Sequence, residues 1–600
     1  MNRKLGFALA SLLAFSGEAL AAGTVTLCAQ DNQAPAGPGQ VNLVGALSGG
    51  GRITFNCPPG TVMRMTRAHT VVVPTEIDGE GRMVFDGEGI SAMFVPETGA
   101  APLTLRNITL RRGALRESSE ASLGTSFAGL VFGPGQLVLA NAIVEATRSP
   151  FAVGSVQVAG GRFTGNSGTI LKSNSVTIDG AQFIDNDAVP FSPVRQSSVP
   201  GVDGLATGML ARVSNALFTN NRQIAWKGRI EIKRSVFDRN GRGAANGGAL
   251  WLQGDGLIEK SSFTGNQATH GGAIGLEQGV LAIRRGMFTG NQAQNSGGAI
   301  AIGIGRQGQP SPPQGSQLSL SYSKFERNSA AFGGAVFLAF RQSDPNRLSG
   351  RVNHFAGNTA SASGGAIGSL DGTIHLRRAI FVGNQATVAG GAIDAGDGLR
   401  RDSTALGSSL VVRNAAPLGG GFRGSSLELV NATVADNGTA GVLLTRPVNG
   451  EQGQQPGRLR LKNSIVLNNA GGNCRGEAAD AVIEDMGNNL QHPGADCGAG
   501  LPSADPQLDT FYVPWHVSPA RNAGDNETCI RHDLVAGRDV YGDSRPEGER
   551  CTIGAVERDL ESHTLVALRK KPFYDLERPL RDILSTLGIE RYPQPDYYEK

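Results

Sequence analysis

Apolar and polar residues alternate along most of this chain, but only over runs of three to five positions. Val176-Thr-Ile178, Leu318-Ser-Leu320 and Leu427-Glu-Leu429 are examples. A period of two over so short a run predicts short β-strands with one buried face. No ten-residue amphipathic helix separates these strands, so only turns connect them. The same pattern opens near the N-terminus with Ile53-Thr-Phe55, Val71-Val-Val73, Met83-Val-Phe85 and Leu103-Thr-Leu105, where Asp78-Gly79 and Asp86-Gly87 supply bends. Thr24 to Cys57 is expected to cap the first coil.

A repeat lies over this pattern. Phe263-Thr-Gly-Asn266 precedes Gly271-Gly-Ala-Ile274, and Phe288-Thr-Gly-Asn291 precedes Gly297-Gly-Ala-Ile300. Asn328, Asn358 and Asn384 close three further copies, and weaker copies run from Asn166 to Asn468. The gap from each Asn to its glycine pair is 5 to 7 residues, while the mean repeat is near 27. A constant short gap beside a variable long one describes a fixed corner with loops of free length, which is a solenoid. Stacked parallel strands without helices make it a β-helix. Phenylalanine is expected to stack on phenylalanine inside the coil at the ~4.8 Å strand spacing. Asparagine suits a tight bend, tolerates the left-handed conformation and can bond to the amide one rung away. Asn266, Asn291, Asn328, Asn358 and Asn384 are thus expected in one column. The glycine pair permits positive φ and close backbone approach. These residues describe how a coil closes and carry no reaction. Roughly 14–17 coils would give a rod of about 65–80 Å.

The paired GGAI and FxxN signatures resemble the repeat of chlamydial polymorphic outer membrane proteins, over about Asn166 to Asn468. The resemblance implies an all-β, right-handed parallel β-helix (a pectate-lyase-like solenoid) and a role in adhesion or surface display. That family ends in a translocating β-barrel, which is not expected in the segment after the repeats here.

Met1 to Ala22 reads as a Sec signal peptide: Arg3 and Lys4, an apolar stretch from Leu5 to Phe15, then Ala19-Leu20-Ala21. The six cysteines lie at the two ends of the chain. Export makes disulfides plausible. Nearest-neighbour pairing would join Cys28 to Cys57, Cys474 to Cys497 and Cys529 to Cys551, out of fifteen possible pairings. The β-helix with its cap is expected over 23–473. The segment from Cys474 to Glu557, with Ser518-Pro-Ala-Arg-Asn-Ala-Gly524-Asp525 and Cys551-Thr-Ile-Gly-Ala-Val-Glu557, resembles the choice-of-anchor Q domain found at the ends of bacterial β-helix proteins. It is expected to cap the coil, with Asp–Arg pairs and two disulfides replacing the missing next rung. In Arg558–Lys600, Leu576, Leu580, Ile583, Leu584 and Leu587 share one helical face. This tail is expected to pack on the module or to dock to an outer-membrane or secretion partner.

Composition narrows the function. Glycine supplies 85 of 600 residues, about twice the usual ~7%, but without the triplet period of collagen. The formal net charge is +3, which argues against a nucleic-acid binder. After the N-terminus no apolar run reaches the ~18 residues of a membrane-spanning helix. Asp78, Glu80, Asp86 and Glu88 are candidates for Ca2+, but turn residues in Asp-Gly bends are the preferred reading. Asp525, His532, Asp533 and Arg545 are candidates for a metal or sugar site, with a structural cap preferred. No paired aspartates or Gly-His-Gly mark the coil, and Asp238, Glu277, Glu326 and Asp394 are scattered. No cofactor or metal site is assigned. Long insertions at Gly305–Gln317, Arg341–Arg347, Asp397–Gly407 and Arg446–Gly457 are expected along one edge, where repeat proteins often bind. The favoured function is a secreted or cell-surface scaffold that binds a glycan or protein without catalysis. The alternative is a polysaccharide lyase, hydrolase or epimerase.

Overall fold

A computed structural model describes residues 23–557 apart from 91, 98–101, 114–128, 194–208, 306–314, 341–343, 371, 397–402, 447–455 and 478. The expected signal peptide and helical tail lie outside the described residues.

The short alternating segments are strands, and all the pairings between named strands are parallel. On the first face, seventeen successive pairings link eighteen strands, from Gly23–Val25 to Val482–Asp485. Seventeen steps at ~4.8 Å make a rod of about 80 Å. Eighteen strands exceed the expected ~14–17 coils by one, and the additional coil has a clear source. Gly23–Val25 is itself the first strand, in register with Ile53–Phe55, and the cap is the helix Leu43–Gly49 within the expected Thr24–Cys57 segment. Asn42 caps that helix by accepting the Gly45 N–H at 2.7 Å, and Leu43 and Ala46 turn inward. A second face carries the Phe-containing strands, such as Ser262–Thr264 and Met287–Thr289. A third face is a ten-stranded sheet from Ile224–Lys227 to Cys474–Gly476.

Two side-chain columns fill the coil. Nine phenylalanines from Phe163 to Phe381 stack with centroids 4.4–4.9 Å apart and planes within 10°. Beside them Asn266, Asn291, Asn328, Asn358 and Asn384 form one ladder, which extends from Asn166 to Asn473. Asn291 shows its logic. Its Oδ1 accepts from the backbone N–H and the Nδ2 of Asn266, at 3.0 and 2.9 Å. Its Nδ2 donates to the Phe263 carbonyl and to Asn328 Oδ1, both at 2.9 Å. Every hydrogen-bonding group of a fully buried amide is used. The left-handed residue of the bend is not the asparagine but the residue before it, for example Gly290 (φ 62°) and Arg327 (φ 51°). The last copy follows the same rule: Asn468 takes φ 49°, and Asn469 enters the ladder.

The glycine pair has two separate duties. Gly271 has φ 62°. A Cβ on Gly272 would lie 2.1 Å from the Gly298 carbonyl of the next coil. One glycine supplies the turn and the other allows neighbouring coils to touch.

Three disulfides are present, Cys28–Cys57, Cys474–Cys497 and Cys529–Cys551. The coil continues beyond Cys474, because Val482–Asp485 and Leu490–His492 still pair with the preceding rung. Gln491 then plugs the end. Its Nε2 donates to the carbonyls of Gly498 and Leu501, and its Oε1 accepts from Cys497 N–H. The remaining chain does not stack as a further rung. It folds back along the side of the rod, where Tyr512, Val513, Val540 and Ile553 cover outward residues Leu410, Val412, Ile465 and Leu467. The Cys529–Cys551 bridge belongs to this side module, whose interior ion pair is Arg545–Glu557 at 3.0 Å. The expected end cap is thus two structures, a small plug and a lateral buttress.

Asn291→Ala is expected to destabilise the protein by about 2–4 kcal/mol. It strips partners from the Phe263 carbonyl, Asn266 and Asn328 in a site closed to water. Gln292→Ala, on an exposed side chain, is expected to stay within about 0.5 kcal/mol. Urea denaturation followed by circular dichroism compares the two. A second prediction concerns pH. Asp31 is buried beside His69 Nε2 at 2.7 Å and accepts from Thr66 Oγ1 and N. Burial alone would raise its pKa, but these contacts together hold it below the ordinary carboxylate value. Its stabilisation is therefore full above the unfolded value of ~3.9 and lost as pH falls through the lower folded value. The difference in urea midpoint between wild type and Asp31→Asn is expected to shrink across that acid window.

Candidate functional site

The acidic residues near the N-terminus are tied up in turns and ion pairs. Asp78 and Asp86 each accept the N–H two residues ahead. Asp78 meets Arg52 at 2.8 Å, Glu88 meets Arg64 at 2.7 Å, and Asp86 is clamped between Arg111 and Arg112. Burial would raise both carboxyls, but the Glu80 N–H, Asn107 and Arg52 hold Asp78 below its ordinary range, and Arg112, the Glu88 N–H and Arg111 do the same for Asp86. Among the described residues no group of three His, Cys, Asp or Glu side chains is arranged to hold a metal ion.

The four polar residues of the C-terminal segment do not converge. Asp525 caps the helix Asn526–Arg531. Arg545 is buried against Glu557. His532 ends that helix, and only Asp533 reaches an open surface feature. The scattered acids of the coil are likewise dispersed: Asp238 pairs with Arg239, Glu326 with Lys324 and Asp394 with Arg423, while Glu277 contacts Gln253.

The four long insertions leave from one place. Each follows a third-face strand, Ile300–Ile302, Val336–Leu338, Ile393–Asp394 or Val442–Leu444. Each is followed by a first-face strand, beginning at Gln317, Asn346, Ser403 or Arg458. Their middles fall outside the described residues, but the exits and returns share one corner.

A groove of about 960 Å3 lies on the outward side of the first face. That volume suits a small-molecule or oligomer segment. Its floor is built by register. Arg284, Ser321, Arg351 and Arg377 occupy equivalent outward positions on consecutive coils. A parallel row of Ala282, Ser319, Ser349 and His375 runs beside them. The turn residues Lys260, Arg285 and Tyr322 form the edge, all with positive φ near 50°. The next residue of that edge, Val352, has φ 56° and is buried. For a β-branched side chain this is a strained conformation. Arg351 lies 5.5 Å from the centroid of the Tyr322 ring. Arg284 stands 3.4 Å from Glu259, and Arg377 donates to the Asp533 carbonyl at 3.2 Å. The groove ends abruptly. The coil position after Arg377 is Gly407, and the Leu534 carbonyl of the side module lies where a Cβ on Gly407 would be, 2.2 Å away.

Sequence reasoning did not find this groove. Its residues are 26 to 37 positions apart along each register column, and insertions of unequal length hide the register. The usable signal was the outward position one residue after each inward residue, read coil by coil.

Residues 287–303 match the family model of the Chlamydia polymorphic membrane protein repeat. They include Phe288, Asn291 and the Gly297–Gly298 corner. No curated protein matches the chain. The molecule is thus a parallel β-helix carrying this repeat.

Gly407→Val is expected to push the Leu534 backbone off the coil. Hydrogen exchange should then show lost protection in residues 504–557 and unchanged protection in the Asn266–Asn384 ladder.

Proposed function

We propose that this protein is an exported, non-catalytic scaffold that works outside the cytoplasm and binds a ligand along its lateral groove. The groove carries this reading. It spans several rigid coils, so its polar groups are held in place before a ligand arrives, which lowers the ordering cost of binding. It offers hydroxyl, imidazole, ammonium and guanidinium groups on one surface. Its two acidic residues, Glu259 and Asp533, sit at different ends of the groove, and Glu259 is engaged by Arg284 and Lys233. That arrangement suits recognition better than acid–base chemistry, which requires a positioned pair.

Location rests on other features. Three closed disulfides suit an oxidising compartment. The signal-like N-terminus and the resemblance of 474–557 to the choice-of-anchor Q domain support Sec export and surface attachment. The match to the polymorphic membrane protein repeat supports surface display and adhesion, with a glycan or protein as ligand.

Fractionation with thiol labelling tests the proposal. The protein is expected outside the cytoplasm, with no thiol that reacts before reduction and six that react after it. A cytoplasmic protein with six reactive thiols would overturn it.

A further inference from the structure

We infer that the lateral groove takes an acidic polysaccharide, lying along the rod with its carboxylate or sulfate groups against successive coils. This deepens the proposal that the groove binds a ligand and rests on it.

Charge is the first argument. Among the described residues Lys260, Arg284, Arg285, Arg351 and Arg377 line the groove against Glu259 and Asp533, although the whole chain is nearly neutral. Lys260, Arg284, Arg285 and Arg351 are exposed. Guanidinium groups bind planar or tetrahedral oxyanions with paired N–H donors.

Spacing is the second argument. The cations are repeated by the fold. Arg351 and Arg377 are one coil apart, and Arg284 and Arg351 two coils apart with Ser321 between them. A ligand that meets them all must repeat its own anionic groups along a line at about the ~4.8 Å coil spacing or a multiple of it. A chain of charged sugars does so.

The remaining lining separates a glycan from other polyanions. Ser319, Ser321, Ser349 and His375 offer neutral donors and acceptors to ring hydroxyls. Among the described lining residues the rings are Tyr322 and the imidazole of His375, and Tyr322 lies beside Arg351. Single-stranded nucleic acid would want a series of rings on which to stack. An acidic peptide bound as an added strand would want an open sheet edge, yet the strands under the groove are paired on both sides. The wall at Gly407 and Leu534 closes one end, so the ligand stops or turns away there.

Titration calorimetry on the full chain tests this with polygalacturonate, dextran sulfate, uncharged dextran, polyglutamate and a single-stranded oligonucleotide. Binding to at least one acidic polysaccharide is expected, weakening as salt rises. The double variant Arg284→Ser/Arg351→Ser should weaken it by about tenfold or more, as expected for loss of charge-assisted hydrogen bonds. Arg67→Ser, at an exposed site near the N-terminal end, should leave it unchanged. Equal binding by wild type and the double variant would overturn the inference. So would preference for uncharged dextran, polyglutamate or the oligonucleotide, or no binding to either acidic polysaccharide. Groove-dependent binding of uncharged dextran would leave the scaffold reading standing, whereas a cytoplasmic location would remove that reading alone.

Discussion

The strand spacing of a parallel sheet governs this molecule. Each inward side chain meets its counterpart one coil away at that single distance, and the residue type must tolerate it. Two free phenyl rings prefer an offset or edge-on contact. Here Phe237, Phe263 and Phe288 lie face to face within 5° because their backbones are hydrogen-bonded in register. Asparagine tolerates the same spacing for another reason, since its amide presents a donor and an acceptor on opposite sides. Glycine at the corner removes the atom that would keep two backbones apart. Phenyl, amide and absent side chain are three answers to one repeated distance.

This explains what could be read from the sequence. The corner was legible because every part of it is fixed: Phe, then Asn three residues on, then the glycine pair. The finer assignments needed backbone geometry. Assigning the left-handed residue to Asn291 was reasonable from its preferences, but a residue twisted into that region could not also keep its side chain in the column. The preceding Gly290 takes the twist. The same division separates Asn468 from Asn469.

The side module left a signal that was not used. Upstream, the second-face strands alternate, as in Lys324-Phe-Glu326. Downstream they become Leu410-Val-Val412 and Ile465-Val-Leu467, with all three residues buried. A strand that is apolar on both faces is covered on both faces, and the residues that cover it come from Tyr512 to Val556. The groove has the opposite character. No short segment contains it, because its columns exist only after unequal loops have been removed and the coils aligned.

The asparagine column also has a direction. From Asn166 to Asn437 each carboxamide gives its N–H to the asparagine of the following coil, and Asn469 gives its own to Asn473 four residues on. Thr147 N–H donates to the first acceptor, Asn166 Oδ1, and the carbonyls of His492 and Pro493 accept from the last donor, Asn473 Nδ2. Such a head-to-tail chain has identical junctions throughout and needs special fittings only at its two termini. A duplicated winding could be spliced in at any interior junction without leaving a mismatched amide on either side. The architecture is therefore open to growth by whole units, and length is a property that gene duplication can adjust without redesigning the ends.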